Sequence, residues 1–214
     1  RRHTRSFHVT GVQTCALPIS AGWEAIEHPL ADGGEGTCDA IVRGGGGTTV
    51  PVPTRDAIGR PRTVPLGVLP DGTCVVEGAL ANGLAQIPRT RRDVMRASSA
   101  GIAPLLLAAL DRGAPRIVIG LGGSATNDGG LGLLIGLGAV AVDAGGAPLR
   151  GRGSDVTRVA GIDLSGLDPR IAATELVVAV DVDSPLAGPA GATRVFGPQK
   201  GATPDQIERL DAGM

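Results

Sequence analysis

The residues best suited to chemistry lie in GLGGSATNDGG (120–130), where five glycines, two hydroxyls, an amide and a carboxylate sit between an apolar run and a helical pattern. Glycines let backbone N–H groups approach an anion closely, serine and threonine add donors, and a helix N-terminus adds its positive dipole. This predicts phosphate binding by Gly122, Gly123, Ser124, Thr126 and Asn127, with Asp128 available for metal or base duty. A tight glycine turn without a ligand is the plain alternative; the density of polar side chains argues against it. Dinucleotide binding is the sharper competitor. Gly120, Gly122 and Ala125 satisfy G-x-G-x-x-A after a strand, and Asp143 lies about where a ribose-binding acid belongs, which would make an NAD-dependent oxidoreductase. Against that reading, Asn127 to Gly130 place turn formers where the first helical turns should be. No Gly-Lys-Ser or Gly-Lys-Thr ends the loop, so a P-loop NTPase is excluded as well.

Three further segments carry candidate groups. ADGGEGT (31–37) offers Asp32 and Glu35 as metal ligands or substrate contacts, or as ordinary solvated turn residues. Asp181 and Asp183, two apart at an expected strand end, would point to one face and could hold magnesium for phosphoryl transfer, or could simply be a solvated terminus. FGPQKGAT (196–203) carries Lys200, the only lysine in the chain, on a glycine loop where its ammonium could meet a phosphate or a carboxylate.

The elements that must position these groups follow from pattern. Strands are expected at 23–30, 48–53, 62–69 and 73–77, with Pro70-Asp71-Gly72 turning the last pair into an antiparallel hairpin. Helices are expected at 39–43, at 98–112 capped by Gly113, and from Leu131. Strand 116–119, the loop, the helix at 131 and strand 139–143 read as a βαβ unit with parallel pairing. Thr174 to Val182 reads as a further, buried strand, and Thr203, Pro204 and Gln206 open a final helix with a capping box.

Composition narrows the class to a folded α/β protein acting on something small. At 42% hydrophobic residues, 214 residues can bury a core. With Phe7, Trp23 and Phe196 as the only aromatics, that core must be aliphatic, which suits a sheet covered by helices. Twenty basic residues against 21 acidic ones, without blocks of either sign, leave no surface for nucleic acid or an anionic membrane. Cys15, Cys38 and Cys74 match neither a metal-ligand spacing nor a disulfide framework, which fits the reducing cytoplasm.

Taken in order, ADGGEGT, GLGGSATNDGG, VDVDSPL (180–186) and FGPQKGAT resemble the bacterial glycerate kinase family, from about Ala21 to Met214. The resemblance implies transfer of the γ-phosphoryl group of ATP to D-glycerate with Mg2+, using Asp128, Asp181, Asp183 and Lys200. Asp181 and Asp183 would be the metal ligands, the 122–127 loop the nucleotide-phosphate site, and Asp32 and Glu35 substrate-side groups. It also implies two α/β domains, one discontinuous, to which 21–60 would belong, and a central one comprising most of 61–214. The family's opening strand and Ser-Phe-Lys-Gly loop have no counterpart here. In their place VTGVQTCALPI (9–19) resembles a translated sequencing adapter, so 1–20 is set aside as foreign and the chain is expected to be cut short at both ends. Val180, Ser184 and SSAGI (98–102) stand where the family commonly has cysteine, asparagine and a Tyr-Gly-Thr pattern.

Overall fold

The computed structural model describes residues 30–214. Its centre is a mixed five-stranded sheet in the order β1-β2-β3-β4-β7. β1 (Thr48–Arg55), β2 (Pro61–Val68) and β3 (Cys74–Glu77) form the expected antiparallel meander. β4 (Arg116–Gly120) and β7 (Glu175–Ala179) then add in parallel beyond β3. The hairpin turn before β3 forms as its residues require: the Gly72 backbone is left-handed, and Asp71 Oδ1 accepts from the Thr73 N–H at 2.9 Å.

β3 is buried on both faces, and its period of two hands alternate residues to two layers. Cys74 and Val76 join the main core with Val64, Leu66, Ile117 and Ile119 of the sheet and Leu105, Leu106 and Leu110 of helix α3 (Ala103–Asp111). Val75 faces the other way, against Cys38 and Val42 of helix α1 (Thr37–Gly44). Aliphatic residues and two cysteines, with no aromatic among the described core residues, thus fill both sides of the sheet, as the near-absence of aromatics demands.

Three expectations need correction. The segment 98–112 is not one helix: a 3-10 turn over Ser99–Ile102 precedes α3, because Pro104 lacks an N–H and must sit at a helix start. The parallel βαβ unit does not form. After α4 (Leu131–Gly136), β5 (Val140–Val142) pairs antiparallel with β6 (Gly161–Asp163) in a separate ribbon, and the parallel neighbours of β4 are β3 and β7. A helix of six residues is too short to carry the chain back along the sheet. Finally, β7 is an edge strand whose Leu176, Val177 and Val178 are exposed, since no described element covers either face there.

The C-terminal part behaves as expected. Helix α6 (Pro204–Gly213) has its capping box, with the Gln206 N–H donating to Thr203 Oγ1 and the Thr203 N–H donating to Gln206 Oε1. Arg194 of helix α5 (Ala192–Phe196) donates to Glu208 and Asp211 and so fastens α5 to α6. The sheet runs across the expected domain boundary near residue 60, with β1 and β2 paired on either side of it. The strand expected at 23–30 falls almost wholly outside the described residues, as do the 1–20 segment, Cys15 and all three histidines.

Candidate active site

β3, β4 and β7 run parallel and end side by side at Glu77, Gly120 and Ala179. The crevice beyond such carboxyl ends is where open α/β sheets bind ligands. Here it is floored by the 31–37 loop, laid across the strand ends. The Gly122 N–H donates to the Gly33 carbonyl at 2.8 Å and the Leu121 N–H to the Ala179 carbonyl at 3.2 Å. The approach is too close for side chains. A Cβ on Gly33 would lie 2.3 Å from the Ala179 oxygen, one on Gly120 2.6 Å from the Gly33 oxygen, and one on Gly122 2.8 Å from the Gly34 Cα. Gly120→Ala is therefore expected to destabilise the chain by about 1–3 kcal/mol in urea unfolding, because backbone must yield. Gly44→Ala, with no atom within 4 Å of its Cβ, should not.

The far side of the 120–130 loop is fixed by residues 82–84, where helix α2 (Gly78–Asn82) ends: the Ala125 N–H donates to the Asn82 carbonyl and the Leu84 N–H to the Gly123 carbonyl, both at 2.8 Å. The N–H groups of Gly123 and Ser124 have no protein acceptor among the described residues, which leaves them available to an anion. Lys200 closes the loop from above. Its Nζ donates to the Thr126 carbonyl at 2.6 Å and to Ser124 Oγ at 3.1 Å. Burial pulls its pKa down to about 8, against the opposing attraction of the Asp128 carboxylate.

Asp128 is placed differently from the sequence reading. It is 3% exposed, and its Oδ2 accepts from the Ser99 N–H (2.6 Å), Ser99 Oγ (2.7 Å) and the Gly132 N–H (3.2 Å), while Oδ1 accepts from the Gly130 N–H (3.2 Å). The N–H groups of the N-cap Gly130 and of Gly132 thus go to this carboxylate, that of Leu131 to the Asp128 carbonyl and that of Leu133 to Ser99 Oγ, not to an external anion, which corrects the expected part of the helix dipole. Asn127 is buried too, its Nδ2 donating to Thr193 Oγ1 of α5 at 3.0 Å.

Asp181 and Asp183 follow the strand; β7 ends at Ala179, so strand alternation does not govern them, and both are exposed. Asp32 is half-buried, with Oδ1 taken by the Gly34 N–H at 2.8 Å, and the exposed Glu35 carboxylate borders Gly123. No group of three or more metal-ligating side chains occurs among the described residues. Two carboxylates such as Asp181 and Asp183 still match the donor set of magnesium, which takes one or two carboxylates and leaves its other positions to water and phosphate.

Two supporting groups escaped the sequence reading. Glu77 is 1% exposed and accepts from the Gly36 N–H (3.1 Å) and the Cys38 N–H (2.9 Å), holding the start of α1 under the 31–37 loop; burial raises its pKa. Ser99 is the anchor of Asp128. A carboxylate closing the apolar strand 74–77 was the available signal for Glu77; nothing local marks Ser99. The dinucleotide alternative fails on geometry: Asp143 lies at the end of β5 in the separate ribbon, paired with Arg158 at 2.7 Å, and α4 starts only at Leu131.

The family model described as "Glycerate kinase family" matches residues 9–214. The chain belongs to this family. Among relatives, it is 45% identical over 187 residues to the glycerate kinase of Bacillus subtilis (strain 168), covering 87% of this chain and 49% of that one. It is 43% identical over 190 residues to the glycerate 2-kinase of Escherichia coli (strain K12), covering 88% and 50%. A crystal structure from Salmonella typhimurium LT2, of a protein assigned as glycerate kinase 2, superposes with a TM-score of 0.83 at 46% identity, over 88% of this chain and 51% of that one. The chain therefore spans about half the length of these relatives, and the residues matched by the family model include all four motifs.

Proposed function

We propose that this protein transfers the γ-phosphoryl group of ATP to a hydroxyl of D-glycerate, giving phosphoglycerate. The observation that carries the reading is the Lys200 ammonium held over the 120–126 loop by Ser124 and Thr126, which puts a positive charge beside free backbone donors. The free N–H groups of Gly123 and Ser124 are the donors of the phosphate cradle, which Gly122, Thr126 and Asn127 hold in shape, and Lys200 meets the charge that develops on the transferred group. Asp32 and Glu35, on the loop across from it, border the acceptor side. Asp181 and Asp183 would hold Mg2+, which when bound would neutralise charge on the phosphate oxygens. Direct transfer needs no covalent enzyme intermediate, and catalysis rests on positioning and charge. The name of the Escherichia coli relative favours the 2-hydroxyl as acceptor.

The partners are then a nucleotide and a small organic acid, with no nucleic acid and no membrane. The described structure has no helix long and apolar enough to cross a bilayer, and its two described cysteines are free and buried, in keeping with a cytoplasmic enzyme. The complete protein would divide into a discontinuous α/β domain containing 21–60 and a central one formed mainly by 61–214.

Turnover of D-glycerate with ATP and magnesium tests the reading, with enolase alone as the coupling enzyme so that only 2-phosphoglycerate reports. Activity that collapses in Asp181→Asn is the expected result. A folded protein with no turnover under enolase or mutase coupling would remove glycerate as substrate.

A further inference from the structure

At the β1 end of the sheet lies a cavity of about 490 Å³ that shares no lining residue with the four motifs. Four arginines, Arg55, Arg96, Arg150 and Arg152, are among its lining residues. Among the described residues Arg96, Arg150 and Arg152 form no ion pair, and Arg55 Nη1 donates only to the Gly59 carbonyl at 3.0 Å. The single acid on the wall, Asp56, is already neutralised by Arg60 and accepts from the Ile58 and Arg60 N–H groups. Asp155, behind Arg150 and Arg152, takes their backbone N–H groups and faces Arg158. Four arginines against one acid that is already paired give the lining a net positive charge, which favours an anion there.

We propose that this cavity is a second anion site, which binds a small phosphorylated carboxylic acid. Planar guanidinium forks match both phosphate and carboxylate. Four of them exceed what one monoanion can engage, and Ile58 and Pro104 supply an apolar wall for a short carbon skeleton. The volume falls within the range of small-molecule sites. The site is separate from the glycine loop, since Ala57, Ile87, Ala97 and Ala125 pack as a small apolar cluster between them. It is also mechanically connected to that loop. Ser98, Ala100 and Gly101 form part of the wall, and Ser99 in their midst is the residue that grips Asp128. An occupant thus rests on the segment that positions the phosphate cradle.

Calorimetric titration of the 214-residue chain with phosphoenolpyruvate, which carries one phosphate and one carboxylate, tests this. Arg96→Ala and Arg150→Ala should each weaken binding about tenfold, and the double variant about a hundredfold, as expected for lost charge-assisted hydrogen bonds. Lys200→Met should leave this binding unchanged. Amide exchange at residues 99–101 and 130–132 should slow on saturation with the probe. Both arginines are exposed, so the variants should keep the parent's urea midpoint, and an Arg96→Lys/Arg150→Lys pair should retain part of the affinity. Binding lost in Lys200→Met but not in the arginine variants would place the anion on the glycine loop and overturn the proposal. So would inorganic phosphate binding as tightly as phosphoenolpyruvate, or no heat of binding at all.

Discussion

Replacing Lys200 with methionine is expected to lower kinase turnover by about 10²–10³-fold, the usual cost of losing one preorganised donor to a developing negative charge, while the chain stays folded. Methionine matches the length and apolar stem of lysine and removes only the ammonium. It leaves two acceptors without their donor, Ser124 Oγ and the Thr126 carbonyl. The pH dependence makes the prediction specific. With its pKa drawn from 10.5 to about 8, Lys200 loses its charge as pH rises through about 8, so wild-type turnover should fall on that limb. Stability moves the other way. Between about 8 and 10.5 the unfolded chain binds the proton that the native chain has released, so unfolding free energy rises with pH in that window. Both trends should vanish in Lys200→Met, measured as a pH–rate profile and as urea midpoints. A variant that keeps turnover within twofold would remove Lys200 from the reaction.

Asp128→Ala should be the most destabilising single change in the site, by about 3–5 kcal/mol, because it strands the buried Ser99 and Gly132 donors together. Asp128→Asn keeps one acceptor oxygen for Ser99 and Gly132 and gives up only the weaker contact to Gly130, so about 1–2 kcal/mol is expected. Urea unfolding measures both. The pair also separates structure from chemistry. If Asp128 acts by holding the loop to Ser99, turnover of Asp128→Asn should follow its modest loss of stability. Turnover abolished in a stable Asp128→Asn protein would restore the base or metal role that the residue type suggests on its own.

The local layers of this fold were legible and the distant ones were not. Meander β1–β2–β3, its Asp-Gly turn and the capping box of α6 rest on neighbours in sequence, strands joined by short turns and side chains two or three residues from their partners, which the sequence displays directly. The pairing of β4 with β7 joins segments about 60 residues apart, and no local pattern says whether β5 or β7 will take that edge. Strand β7 reads as buried because Leu176, Val177 and Val178 are apolar in succession, yet burial depends on what lies above a strand, and nothing described lies there. The site divides in the same way. Glycines that permit backbone contact, and the lysine placed on a loop, announced themselves by type. That Asp128 is saturated by Ser99, 29 residues away, is a property of packing alone.

The buried thiol of Cys38 turns the floor of the site into a clock. Burial, aided by the neighbouring Glu77 carboxylate, pushes its pKa up to about 11, so at pH 7 only about one molecule in 10⁴ carries the reactive thiolate, and that one is enclosed. Alkylation at Cys38 can then proceed only when α1 lifts from Glu77 and Val75. Its rate counts how often the 31–37 loop loses its support, and the same reaction at Cys74, deep between sheet and α3, counts the rarer opening of the core itself.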